Sequence, residues 1–369
     1  MAPQNPDNRI ILTLDAGGTH FRFCALRNGR PISQILDLPS EANHLDRCLA
    51  TIVDGFRQVI AKCPQPPAAI SFAFPGPADY PNGIIGDLPN LPAFRGGVAL
   101  GPLLEDEFSL PVFINNDGDL FAYGEAIAGL LPHVNNLLAN AGNPKRFRNL
   151  IGLTIGTGFG GGIVLNGNLL LGDNSVAAEV GLLRNGLLPT AGAEETVSIR
   201  GLRQNYFRLS SVPLADVLEP KELARIAQGL SPGNQSAALE AFRLLGEVAG
   251  DALANITTLV DGLAVIGGGI SGAATLFLPA LVSEMNAHFK NSDGLELRRL
   301  IPHAFNLEDP MQLAQFLKGE TCEILVPGSN RKVTYDSLPR TGVGLSRLGT
   351  SEAIALGAFH FALSRLGPL

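Results

Sequence analysis

Residues 9–29 read RIILTLDAGGTHFRFCALRNG, and residues 149–167 read NLIGLTIGTGFGGGIVLNG. Each stretch opens on an apolar run, passes through a glycine turn, returns as a second apolar or partly alternating run and closes on Asn-Gly. Short apolar runs bounded by turn residues are strand signals, and Asn-Gly favours the type I′ hairpin turn, whose two central residues take positive φ. Strand, glycine turn, strand, hairpin turn therefore occurs twice, about 140 residues apart. That period is too long for a stacked solenoid. It points to two lobes of related design, with gene duplication as the simplest origin and chance likeness of two hairpins as the alternative.

Outward from the first hairpin, NHLDRCLATIVDGFRQVIAKC at 43–63 spaces its apolar residues at helical period, and AAISFAF at 68–74 returns to strand character. PVFINND at 111–117 is a further strand, followed by a helix over 119–130. Helices are also predicted over 221–228, 235–260, 272–290 and 350–365, with a strand at 262–267. Alternating strands and helices imply the α/β class. Segments 131–149 and 298–346 are the least regular and read as loops or insertions.

A chain of 369 residues exceeds the size at which one hydrophobic core stops growing, which again favours two lobes. With 46% hydrophobic residues, 17% charged residues and 43 glycines, the composition is that of a turn-rich globular enzyme. A net charge of −7 offers no broad positive surface to nucleic acid. No window is apolar for long enough to span a bilayer, and MAPQNPDNRI lacks the basic-then-apolar pattern of a leader, so a cytoplasmic location and no membrane partner are expected. Cys24, Cys48, Cys63 and Cys322 show no paired spacing and read as reduced structural thiols.

Three glycine turns follow three apolar strands: DAGGT at 15–19, GTGFGGG at 156–162 and GGGIS at 267–271. Glycine lets a backbone approach a phosphate closely and turn its N–H groups inward, so such turns cradle polyphosphate. For any one of them a tight turn without a ligand is the plainer reading; three in one chain favour phosphate. No G-x-x-x-x-G-K-[ST] is present, and DAGGT leads into a strand and not a helix, which disfavours hydride transfer on a dinucleotide. Asp15, at a strand end, is either a surface turn carboxylate or a ligand for Mg²⁺, directly or through water.

NNDGD at 115–119 lies where a strand yields to a helix, the end at which open α/β sheets bind ligands. It reads either as an Asx turn or as the source of a base for phosphoryl transfer. Asp119 suits the helix cap, which leaves Asp117 for the base. The stiff loop PGPADYPNGIIGDLPNLPAF at 75–94 holds Asn82 and Asn90 and suits either sugar hydroxyls or a structural crossover. VAAEVGLL at 176–183 sets Glu179 among apolar residues, where an unpaired carboxylate is costly, so it is expected to meet a ligand, a cation or donors. Glu194 and Glu195 are read as capping or beginning a helix that runs through 207.

The ordered set DAGGT, PGP, PNLP, NND, GTGFGGG, AEVG and VIGGG resembles the ROK family of sugar kinases, repressors and open reading frames, within the actin-like ATPase superfamily. The resemblance covers most of the chain. It implies two ribonuclease-H-like lobes around a central cleft, with residues 1–116 and 349–369 in the smaller lobe and 117–348 in the larger. It also implies ATP and Mg²⁺ as cofactors, a hexose or amino sugar as substrate, and a homodimer. By the same resemblance Asp15, Gly17, Gly18 and Thr19 match the first phosphate loop, with Asp15 toward Mg²⁺. Gly156, Thr157, Gly158, Gly160 and Gly161 match the second, and Gly268 and Gly269 the adenosine-side turn. Asn116 and Asp117 match the sugar-contacting Asn and the catalytic Asp, while Asn90 and Glu179 match other sugar contacts. Glu194, counted back from Ser198, matches a further sugar-binding Glu, with Glu195 as the alternative.

The chain departs from the family pattern in one place. Many members carry Glu-Ile-Gly-His followed by Cys-x-Cys-Gly-x-x-Gly-Cys, a zinc site; here Leu182 stands at the His position and 183–193 contains no Cys. No structural zinc is expected, and one sugar contact is lost. The segments 131–149 and 298–346 are longer than usual for the family. The functional expectation is ATP-dependent phosphorylation of a sugar hydroxyl with Asp117 as general base. The alternatives are a sugar-binding protein that has lost catalysis and a sugar-responsive regulator. The 14 residues before Asp15 are too few for a helix-turn-helix, which counts against the regulator.

Overall fold

In the computed structural model, which describes residues 7–17, 19–76, 78–86 and 94–368, both quoted stretches fold as antiparallel hairpins. Two units result: Met1–Ile127 with Leu169–Ala177 and Thr350–Leu369, and Ala128–Asn168 with Ala178–Gly349.

In the first unit β1 (Ile10–Ala16) pairs with β2 (His20–Arg27), Ile10 opposite Arg27. Asn28 and Gly29, at φ 53° and 70°, make the type I′ turn into β3 (Arg30–Pro31), and β4 (Leu36–Pro39) also pairs with β2. Thr13 interrupts the apolar run of β1 without leaving a polar group stranded, because its hydroxyl donates to the Cys24 carbonyl at 3.3 Å. Helix α1 (Leu45–Ile60) leads to β5 (Ala69–Ala73), parallel to β1. A small ribbon follows, β6 (Ala78–Asp79), β7 (Ile84–Ile85) and β8 (Val98–Ala99), then α2 (Leu100–Phe108) and β9 (Val112–Asn115), parallel to β5. The sheet order is β3-β2-β1-β5-β9. Its core is aromatic, with Phe23, Phe56 and Phe72 in sequence at centroid spacings of 5.2 and 6.0 Å.

Helix α3 (Asp117–Ile127) packs against the C-terminal helix Thr350–Leu366 with almost no space between backbones. A Cβ on Gly124 would lie 2.0 Å from the Ala353 carbonyl oxygen, and one on Gly357 would lie 2.0 Å from that of Leu120. This packing keeps 117–127 in the first unit, so the division expected at 116/117 falls instead after Ile127. It also sets the position of the α3 N-terminus. Gly124→Ala should push the two helices apart and lower stability by about 1–3 kcal/mol, the usual range for overpacking. Urea denaturation would show it, and an unchanged midpoint would mean that the helices separate freely.

The second unit repeats the plan. After α4 (Leu130–Asn140), β10 (Leu150–Ile155) and β11 (Phe159–Leu165) form the hairpin, Leu150 opposite Val164, and Asn166 and Gly167 take φ 50° and 81° before β12 (Asn168–Leu169). Helices α5 (Ile199–Ser210), α6 (Pro220–Ala227) and α7 (Gln235–Val260) precede β13 (Leu263–Gly267), which runs parallel to β10. Next come α8 (Ala274–Met285), the ribbon β14 (His288–Lys290) with β15 (Glu296–Arg298), β16 (His303–Asn306) and α9 (Pro310–Lys318). The ribbon β17 (Thr321–Leu325) with β18 (Lys332–Asp336) and the strand β19 (Arg340–Leu345) complete the unit. The sheet order is β12-β11-β10-β13-β19-β16, again a hairpin joined to parallel strands.

The two segments read as irregular therefore carry structure. Pro132 is compatible with α4 because it sits in the first turn, where its missing N–H would have no helical partner. In 298–346, β17 is exposed along its whole length and so has no alternation to recognise, while glycines dilute the apolar signal of β19.

Candidate active site

In the first unit the site is built at the C-terminal ends of parallel strands. Asp15 on β1 is level with Ala73 on β5, and Ala73 with Asn115 on β9. Two strand spacings, about 10 Å, separate the outer pair. Asp15 is exposed there, as is Thr19, and Gly17 is half-buried. Gly18 and Asn90 lie outside the described residues.

Asn116 ends the strand and begins the helix. Its Oδ1 accepts from the Gly118 N–H at 2.8 Å and its carbonyl from the Leu120 N–H at 3.1 Å, so Asn116 is the cap of α3. This corrects the assignment of the cap to Asp119. The helix begins two residues earlier than expected, which draws Asp119 into its buried first turn. Asp117 is then the first helical residue, and its own Oδ1 also accepts from the Gly118 N–H, at 2.9 Å.

Asp117 has an exposed side chain, yet desolvation by the surrounding protein raises its pKa, with the Gly118 N–H pulling it back and the charge of Asp15 adding to the rise. Access and proton affinity are separate properties here. Exposure leaves Asp117 open to a substrate, while desolvation disfavours its charge. Beside it, Asn115 is buried and its Nδ2 has no hydrogen-bond partner among the described residues. Nothing in the sequence distinguished Asn115 from the rest of the polar cluster.

In the second unit two glycine turns meet. Gly156 donates its N–H to the Gly158 carbonyl at 3.0 Å and accepts from the Ile199 N–H at 2.8 Å, which ties the turn to the start of α5. Gly268 has φ 88°, and a Cβ there would lie 2.4 Å from the Ile155 oxygen, so both conformation and space demand glycine. A Cβ built on Gly156 would be 3.8 Å from the Gly269 nitrogen, whereas one on Gly269 would meet open space. Thr157 is exposed beside them. Gly160 and Gly161 lie inside β11, where their missing side chains leave room for Thr154 and Val180.

Geometry separates the two glutamates that the sequence left ambiguous. Glu194 turns onto the glycine loop, its Oε2 accepting from the Phe159 N–H at 3.0 Å. Glu195 instead pairs with Arg200 at 2.7 Å. Neither begins α5 as expected: both lie in a 3₁₀ turn, and Ser198 is the cap, its Oγ accepting from the Gly201 N–H at 3.1 Å. Glu179 is exposed, which corrects the apolar setting read for it. Val180 is the residue of that segment that goes inward, against Gly161, and Leu182 is 79% exposed. A cavity of about 240 Å³ opens beside Thr157, and its walls include Arg200, Arg203 and Gln204 of α5, residues that sequence reasoning missed.

These residues fit a nucleotide and a hard cation. Turned backbone N–H groups and the open space at Gly269 suit phosphate oxygens. Asp15 offers the carboxylate oxygen that Mg²⁺ takes while keeping several waters. Among the described residues no three His, Cys, Asp or Glu side chains gather into a ligand set, so the rest of such a cation's shell would be water and phosphate.

The pattern of the ROK family matches residues 11–308. The crystal structure of a glucokinase from Parabacteroides distasonis is 52% identical, with a TM-score of 0.89 and 99% of each chain covered. A glucokinase of Halalkalibacterium halodurans is 26% identical over 79% of this chain and 90% of its own length. An N-acetyl-D-glucosamine kinase of Yersinia enterocolitica is 27% identical over 63% of this chain and 75% of its own. Among the described residues no helix is long and apolar enough to cross a membrane. With a family pattern spanning most of the chain, and a relative more than half identical along its whole length, the chain belongs to the ROK family.

Proposed function

We propose that this protein transfers the γ-phosphoryl group of ATP to a hydroxyl of a hexose or amino sugar, with Asp117 as general base. The observation that carries this reading is the accessible Asp117 carboxylate at the start of α3, at the same end of the sheet as Asp15, with its proton affinity raised. The named glucokinase and N-acetyl-D-glucosamine kinase relatives support the choice of substrate class.

In this reading Asp117 accepts the proton of the attacking hydroxyl as the oxygen bonds to phosphorus, a contribution typically worth about 10²–10⁴-fold. Asn116 has its Oδ1 occupied by the cap and offers its amide Nδ2 to the sugar. Glu194, and with it Asn90 and Glu179, accept from sugar hydroxyls. The turns at 17–19, 156–158 and 268–269 donate N–H groups to phosphate oxygens, and the cavity beside Thr157 receives another part of the nucleotide. Bound at Asp15, Mg²⁺ would neutralise phosphate charge.

A coupled ADP-release assay with Mg²⁺ tests the reading across glucose, fructose, mannose, allose, N-acetylmannosamine and N-acetylglucosamine. Turnover on at least one is expected, and no turnover on any overturns the proposal. Glu194→Gln keeps an oxygen for the Phe159 N–H but removes the charge, so the sugar KM should rise roughly tenfold with little change in kcat. An unchanged KM removes Glu194 from the sugar site.

A further inference from the structure

A cavity of about 510 Å³ in the second unit takes no part in the reaction proposed above. It lies at the opposite end of the sheet from the glycine turns. Asn149, just before β10, Pro302, just before β16, and Pro339, just before β19, line it, whereas Gly156 and Gly268 follow the far ends of β10 and β13. Six residues of β10 lie between, a span of about 20 Å.

The lining of this cavity carries both cationic and acceptor groups. The loop 145–148, KRFR in sequence, contributes Lys145, Arg146 and Arg148. Among the described residues none of the three has a carboxylate within ion-pair distance. Among the described residues Arg146 donates to the backbone carbonyls of Asn143 and Lys145, and Lys145 lies 5.4 Å from the centre of the Phe147 ring. The two other arginines that line the cavity are engaged elsewhere, Arg299 with Asp251 and Glu284, and Arg340 with Asp336.

The lining also includes the C-terminal end of α7, where the Val260 and Asp261 carbonyls accept from Asn149 Nδ2 at 3.1 and 3.3 Å, and the exposed Asp261 just beyond, whose carboxylate is a further acceptor. Thr258 is exposed there, and its Oγ1, which donates to the Ala254 carbonyl at 2.8 Å, keeps its lone pairs for a donor. The Asp261 carboxylate and this hydroxyl oxygen accept from hydroxyl donors. The apolar side chains of Leu300, Ile301 and Pro302 complete the lining.

A ligand matched to both sets of groups carries an anionic group and several hydroxyl donors. We propose that this cavity is a binding site for a small sugar phosphate, its phosphate held by Lys145, Arg146 and Arg148 and its hydroxyls by Asp261 and Thr258. Guanidinium and ammonium groups bind phosphate through charge-assisted hydrogen bonds, and a polyol suits acceptors such as Asp261 and Thr258. A sugar phosphate is also the product class of the proposed kinase reaction, and only this remark rests on that reading.

Titration calorimetry on the full chain tests the site, with glucose 6-phosphate, inorganic phosphate and glucose as separate probes. Glucose 6-phosphate should bind saturably to the unaltered chain, and at least roughly tenfold more weakly when Lys145→Ala and Arg148→Ala are combined. Both side chains lie outside the core, and a thermal melt checks that the variant folds. Asp261→Asn should weaken the sugar phosphate and spare inorganic phosphate. Affinity unchanged in the double variant, or inorganic phosphate bound as tightly as the sugar phosphate, overturns the proposal. Binding is read without turnover, so a chain that phosphorylated none of the sugars above would leave this outcome intact.

Discussion

Asp117→Asn is expected to lower kcat by about 10²–10⁴-fold, the usual worth of a positioned general base, while sugar affinity changes little. Asparagine keeps the shape of the side chain and an oxygen for the Gly118 N–H, so α3 still starts where it does. What it loses is the lone pair that takes the proton. A variant at near wild-type rate would remove Asp117 from the mechanism.

The pH profile gives the same claim a second test. Asp117 acts as a base only when ionised, and desolvation by the surrounding protein, with the Asp15 charge, shifts its pKa upward. The acid limb of kcat/KM should therefore lie above the ordinary aspartate value of about 3.9. Activity rises as pH passes upward through that limb. Replacing Asp15 by Asn removes the repelling charge and should move the limb down, although it also costs the candidate Mg²⁺ ligand. A limb that stays put in the residual activity would show that the two carboxylates do not communicate.

Asp336→Ala is expected to cost about 3–5 kcal/mol of stability, the range for leaving one partner of a buried ion pair uncompensated. Arg340 is 1% exposed, its Nη1 lies 2.7 Å from Asp336 Oδ2, and its guanidinium sits 5.3 Å from the centre of the Phe316 ring. Desolvation by itself would raise the Asp336 pKa. The N–H groups of Glu320 and Leu338, with Arg340 and Asn143, more than offset it and hold the carboxyl at about 2. A pKa lower folded than unfolded means stability that is fully present above about 4. That contribution is lost as pH falls toward about 2. Urea denaturation across this window should show the loss in the parent chain and its absence in the variant. Equal stability of the two at neutral pH would mean that Arg340 finds another partner at no cost.

How much of the site could be read in advance follows from how local each decision is. Both hairpin turns were legible because Asn-Gly reports a backbone conformation that its own two residues adopt. The cap was not, because Asn116 and Asp119 are equally good capping residues in isolation. The choice belongs to β9, whose parallel pairing with β5 reaches Asn115 and leaves Asn116 to start the helix. Glu179 was misread for a similar reason. Apolar neighbours in sequence do not say which of them turns inward, and here Val180 does, against Gly161. Glu194 and Glu195 differ only in whether the chain directs a side chain to Phe159 or to Arg200.

By itself the sequence determined the α/β class, the duplicated hairpin plan, the long helices, the ordered motifs of the ROK family and the missing zinc pattern, because these rest on periodicity, on turn residues and on motif order along the chain. Tertiary structure alone decided which unit holds α3, which asparagine caps it, which carboxylates reach the glycine loop, and that the loop 145–148 lines one cavity with the end of α7. The physical reason is that these are contacts between residues far apart in the chain. A side chain's partner there is set by strand register and by how closely backbones pack, as at Gly124 and Gly357, and neither is encoded in its immediate neighbours.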